Sequence, residues 1–192
     1  MRHIKYIVWI VSITFVFAAC MGNKDNNVDA NTNTNEQQAT ADTKNSDKEA
    51  EAQIISQRLC TDFPREMIMK YNPDGVDIKI APVSNGNGGI LHCDVKLFYG
   101  KKEYEFWKGQ VAAWTAKQKD PFWQYNPERN PALYHKIEGF GEQAVFITNT
   151  NQLLILKDGI VYDIVPPNSG RTTNTGKENK EIALEIARHY KI

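Results

Sequence analysis

An excess of either charge is missing from this chain: 23 Lys and Arg residues stand against 23 Asp and Glu among 192 residues. Without a basic excess to track a phosphate backbone, no nucleic-acid partner is expected. Cysteine is scarce, with three residues and no Cys-x-x-Cys spacing, and His92, His135 and His189 form no i, i+4 pair. Neither pattern supplies a metal-ligand set, so no metal is expected. The Gly-x-Ser-x-Gly elbow of common hydrolases does not occur. Gly139-Phe140-Gly141 is followed by no Lys-Ser/Thr and leads into a strand pattern, which makes it a chain reversal rather than a phosphate loop. Asp158-Gly159 lacks the acidic ladder of a cation loop and reads as a turn. No catalytic residue and no cofactor follow from these motifs, and the chain is expected not to be an enzyme.

Long apolar runs are also rare. The clearest, residues 6–17, is broken by Ser12 and Thr14 and is shorter than the roughly 20 residues a spanning helix needs. Arg2 and Lys5 precede it, and Ala18 and Ala19 follow it, the three-part plan of an export signal. An ordinary signal peptidase also wants a small side chain where Phe17 stands. Phe17-Ala18-Ala19-Cys20 instead resembles the bacterial lipobox, with Phe in place of the usual Leu. That resemblance implies removal of residues 1–19, diacylglycerol on the Cys20 thiol, and attachment to the membrane through the lipid anchor. An uncleaved anchor with an incidental cysteine is the competing reading. Met21 after the cysteine, by similarity to the sorting rule of some diderm bacteria, implies the outer membrane in such a host. Loss of Arg2 and Lys5 leaves 21 basic residues against 23 acidic ones.

Residues 20–45 are nearly all Asn, Thr, Asp, Gln, Lys and Ala, with Val28 their only branched aliphatic residue. Such a segment buries too little apolar surface to offset its ordering entropy, and a disordered tether is expected. Residues 46–192 then form a single globular domain of ordinary length.

Within that domain, Ser46-Asp47-Lys48-Glu49 reads as a capping box that opens a helix carrying Ala50, Ile54, Ile55 and Leu59. Pro64 restarts a helix with Met67, Ile68 and Tyr71. Val76, Ile78 and Ile80 alternate with polar neighbours, as do Leu91, Cys93, Val95, Leu97 and Tyr99, predicting two strands around the loop SNGNGG. Gly100-Lys101 reads as a two-residue hairpin turn, with residues 103–107 returning beside the second strand. A short helix is expected over residues 110–117, carrying Val111 and Trp114. Residues 143–148, 153–156 and 160–165 form a predicted meander, and residues 178–190 a closing helix with Ile182, Ala183, Ile186, Ala187 and Tyr190 on one stripe. The expected class is α+β: an antiparallel sheet of five to six strands with N- and C-terminal helices packed on one face.

With Cys20 lipidated, Cys60 and Cys93 remain as an even pair in an oxidising compartment, and a disulfide between them is expected. A nucleophilic cysteine is the rival reading, but His92 points to the sheet face opposite Cys93. Leu59-Cys60 in a helix, Cys93 in a strand, Gly139-Phe140-Gly141-Glu142-Gln143-Ala144 before a hairpin, and Ala183 and Ala187 in a final helix together resemble the small secreted lipoprotein and kinase-sensor domains of actinobacteria. The resemblance implies a PsbP-like α+β sandwich that binds or senses outside the cytoplasm without catalytic residues.

Residues 121–134, PFWQYNPERNPALY, resist a purely structural account. Three prolines preclude a regular helix, so the rings of Phe122, Trp123, Tyr125 and Tyr134 sit on a stiff loop. They either roof one end of the core or, with Arg129, form a contact platform for an envelope glycan, peptide or protein. Alternation in an extended segment predicts Phe122 inward and Trp123 outward. The leading reading is a tethered, non-catalytic binding or sensing module of the cell envelope. An envelope inhibitor or immunity protein, and a small envelope enzyme with a dispersed site, are the alternatives.

Overall fold

The computed structural model describes residues 35–168 and 175–192, with residues 35–45 as helical backbone alone. The expected signal, residues 1–19, Cys20 and the tether up to residue 34 lie outside the described residues. Three helices, α1 (Asn35–Thr61), α2 (Arg65–Tyr71) and α3 (Asn179–His189), accompany seven strands: β1 (Asp77–Ser84), β2 (Ile90–Phe98), β3 (Phe106–Thr115), β4 (Tyr134–Lys136), β5 (Gln143–Ile147), β6 (Gln152–Lys157) and β7 (Ile160–Val165). All strands join one antiparallel sheet in the order β1-β2-β3-β7-β6-β5-β4. The fold is thus α+β, with seven strands where five to six are expected.

Four local expectations need correction. Helix α1 begins at Asn35 and not at Ser46. Residues 35–45 contain Glu36, Gln37, Gln38, Ala39 and Ala41 without Gly or Pro, so propensity sustains a helix that has no apolar stripe to announce it. The helix expected over residues 110–117 is instead the second half of β3, which runs to Thr115, paired with β7 over residues 110–115 and with β2 as far as Val111. Val111, Ala112 and Ala113 are all buried, and a strand covered on both faces loses the alternation that would mark it. The Gly100-Lys101 turn is a wider loop: Tyr99 N donates to Glu105 O at 3.0 Å, and Glu105 N to Lys102 O at 3.0 Å, so β3 starts at Phe106. The uncounted strand is β4, three residues long, inside the proline-punctuated stretch.

The meander appears as predicted. Asp158 and Gly159 both have positive φ, 53° and 75°, as the tightest hairpin turn requires. At the chain's end Glu178 and Glu181 form a reciprocal capping box that starts α3.

Register explains the core. Cys93, Val111, Ile164, Leu153 and Phe146 pair in succession across five strands, so their side chains form one row on one face. Ala113, Tyr162, Ile155 and Ala144 form the parallel row. Leu59 of α1, Ile68 of α2, and Ile182, Ala183, Ile186 and Ala187 of α3 are buried in the same cluster. Burying residues of this size fully is worth about 1.5–3 kcal/mol each. Cys60 and Cys93 are joined as a disulfide, with Cα atoms 5.6 Å apart, and so tie α1 to β2 as expected. Tyr190 reinforces the closure by donating its hydroxyl to Leu59 O at 2.6 Å.

The alternate residues face the other way. Val145, Ile147, Leu154, Leu156 and Val161 form a second, smaller cluster over the β5–β7 half of the sheet, and Phe122 from the loop after β3 completes it. On the opposite face, in the row of Val95 and Val111, Gly109 lets the chain after β7 pass: a Cβ would lie 2.6 Å from Pro167 N, against backbone that cannot yield.

Candidate functional site

The second cluster needs a cover, and residues 116–133 provide it. Their path is fixed by side chains that mimic turns. Asp120 Oδ1 accepts from Phe122 N at 3.1 Å, and Asn126 Oδ1 accepts from Glu128 N at 2.8 Å. Asn126 O takes the amides of Arg129 and Asn130 at 3.1 and 3.2 Å, while Thr148 N reaches Leu133 O at 2.9 Å and staples the loop's end beside the sheet. The prolines contribute stiffness, and the hydrogen bonds contribute position.

Phe122, 8 % exposed, is the apolar anchor, whereas Trp123, 59 % exposed, projects to solvent. That is the orientation the alternation predicts. Tyr125 and Tyr134 are partly buried against the cluster with ring centroids 5.6 Å apart, edge to face, so each holds the other's orientation. Between this loop and residues 136–145 opens a cavity of about 440 Å³, lined by Trp123, Tyr125, Asp120, Glu138, Glu142 and Gln143 among others. Of the four candidate binding residues, Trp123 and Tyr125 line it, Tyr134 supports Tyr125 from behind, and Arg129 is exposed elsewhere on the loop. Phe122 thus roofs the second cluster while its neighbour Trp123 is exposed on the same loop.

The opposing wall comes from the Gly139-Phe140-Gly141 reversal. Gly139 and Gly141 have φ of 81° and 54°, and a Cβ on Gly141 would run into Leu156 O. Glu142 Oε1 accepts from Asp158 N at 2.9 Å, which locks this wall to the β6–β7 turn. Lys136 and Glu138 pair at 3.5 Å on largely exposed side chains, a contact of little energetic weight. Gln143 Oε1 is buried without a hydrogen-bond partner. Charge in the lining is asymmetric: Asp120, Glu138 and Glu142 face Lys136 alone.

Sequence reading missed a second polar group on the same sheet face. Asp163 of β7 is 3 % exposed; its Oδ2 accepts from Gln110 Nε2 at 2.9 Å and its Oδ1 has no hydrogen-bond partner. Burial pushes its carboxyl above the usual range, and the side-chain amides of Gln152 and Gln110, with His92 nearby, offset part of that rise. Alongside, Asp94 Oδ1 lies 3.1 Å from both His92 Nε2 and Lys108 Nζ. One signal was present: Asp163 interrupts the otherwise apolar strand IVYDIV.

Among the described residues no group of three or more His, Cys, Asp and Glu is arranged to hold a metal, and no described helix is long and apolar enough to cross a membrane. Bonded to each other, Cys60 and Cys93 offer no thiol nucleophile. Cys20 lies outside the described residues. Compared with known proteins, the sequence matches no family model, no curated protein and no solved structure at a significant level.

Proposed function

We propose that this chain is a lipid-anchored, non-catalytic binding or sensing module of the cell envelope, attached through Cys20, and that it binds its ligand in the cleft under Trp123. Leu59, Ile68 and Ile182 of the helices share one buried cluster with the sheet, and the loop that displays the ring supplies Phe122 to the other. The observation that carries the reading is the contrast between neighbours: Phe122 is buried in the core while Trp123 stands exposed at the edge of a cavity of about 440 Å³. An exposed indole at the rim of a cavity offers apolar area that a ligand can bury. The lining holds groups suited to recognition, and no histidine, cysteine or serine of the described residues stands among them. The resemblance to secreted PsbP-like sensor domains points the same way.

Envelope extract passed over the immobilised chain, and in parallel over Trp123→Ala, tests the reading. A component retained by the first and lost from the second supports it. Equal retention by both, with the fold intact, refutes it.

A further inference from the structure

We propose that the cleft selects an organic cation, an ammonium or guanidinium group, which Trp123 and Tyr125 face with their rings and the carboxylates of Asp120, Glu138 and Glu142 attract; this inference rests on the binding reading above.

Two independent observations converge on a cation. The first is charge. Three carboxylates and one ammonium line the cavity, although the whole sequence has equal numbers of acidic and basic residues. A cleft lined by one sign of charge focuses its field and concentrates counter-charged ligands. Lys136 does not cancel this, because it is paired with Glu138 and leaves Asp120 and Glu142 as the remaining charges.

The second is the treatment of aromatic rings elsewhere in the protein. Lys79 sits 5.0 Å from the Phe98 centroid, Lys96 4.8 Å from Phe106, Lys102 5.5 Å from Tyr104, and Arg188 5.4 Å from Phe140. The chain thus places its own cations against rings repeatedly, the buried Phe98 and Phe140 among them. Trp123 receives none from the described residues, although indole has the strongest negative face of the three aromatic side chains. What sets Trp123 apart from Trp114, an indole that is also exposed without a cation from the described residues, is its place at the rim of the acidic cavity.

The test follows Trp123 emission in the full chain, isolated as the difference from Trp123→Phe. Probes are acetyl-Gly-Lys-Gly-amide, its norleucine counterpart, 1,5-diaminopentane and a neutral chito-oligosaccharide. The lysyl peptide should bind about tenfold more tightly than the norleucyl one, a preference of the size a desolvated cation–π contact allows. Glu138→Lys, at a largely exposed position that leaves the fold intact, should remove most of that preference. A diamine that matches the lysyl peptide identifies a free amine as ligand; a diamine that binds far more weakly identifies a basic peptide. Equal binding of the lysyl and norleucyl peptides, or binding of the oligosaccharide alone, overturns the cation while the binding reading stands. Silence of Trp123 to every probe, charged and neutral, overturns both.

Discussion

Truncating Phe122 and Trp123 separately should give opposite results, and the difference follows from their burial. Phe122 fills the second cluster against Val145, Ile147, Leu154, Leu156 and Val161, at 8 % exposure. Removing a buried Phe costs about 3–5 kcal/mol, and a cluster roofed by a loop relaxes more readily than a central core, which favours about 3 kcal/mol. Trp123 is 59 % exposed, so its truncation should change stability by no more than about 0.5 kcal/mol. With a urea dependence of about 2 kcal/mol/M for a domain of this size, the unfolding midpoint should fall by about 1.5 M in Phe122→Ala and by about 0.2 M in Trp123→Ala. Equilibrium urea melts followed by far-ultraviolet circular dichroism measure both without relying on tryptophan emission. A large loss in Trp123→Ala with none in Phe122→Ala would reverse the inward and outward assignment and remove the reason for placing a ligand under Trp123.

Asp163 has its folded pKa raised by burial, so its charged form opposes folding at neutral pH, and that penalty is relieved as pH falls through the raised value and is gone below the usual carboxylate range. Asp163→Asn should accordingly be more stable than the parent at pH 7, by about 1 kcal/mol, with the gain shrinking toward pH 4; a variant less stable at pH 7 would contradict this. Replacing Cys60 and Cys93 together by Ala opens a loop with a sequence separation of 33 and should lower stability by about 3–4 kcal/mol, read as a fall of about 6–12 °C in Tm. Free alkylation of both thiols in protein taken from the envelope would argue against the bond in the native protein. Cys20→Ala should take up no palmitate analogue in metabolic labelling, whereas equal uptake by parent and variant would rule out that thiol as the anchor point.

Where one face of an element is wet, its periodicity shows in the chain. The meander of β5, β6 and β7, the strands β1 and β2, and the helices α2 and α3 all carry such signals, and Asp158-Gly159 marks its turn without ambiguity. The failures have a common cause. β3 lies between β2 and β7 with Val111, Ala112 and Ala113 buried, so the three-residue spacing of Val111 and Trp114 was the only pattern left to read, and it imitated a helix. β4 is too short, at three residues, to have a period, and its pairing of His135 with Phe146 is set by the loop that delivers it. In the site, the aromatic loop was legible because proline and alternation act locally. Its opposing wall was not, because Glu138 and Glu142 meet Asp120 only through the β4–β5 pairing. Asp163 was hidden for the same reason: the side-chain amides that meet it, of Gln110 and Gln152, lie on the flanking strands β3 and β6.

The same long-range closure explains why a loop with so little regular structure can present a ring usefully. Binding usually loses affinity to the ordering of side chains and loops at the contact, about 0.5–1.5 kcal/mol for each flexible side chain immobilised. Here Phe122 is already packed, Asp120 and Asn126 already hold the backbone amides on either side of Trp123, and Tyr134 already fixes Tyr125. The ordering is completed on folding, so under the proposed binding role a ligand would meet a cleft whose walls need not be rebuilt. Core packing beneath Phe122 and recognition above Trp123 are then linked through one peptide bond, and weakening the first should loosen the second even where the cleft's own residues are untouched.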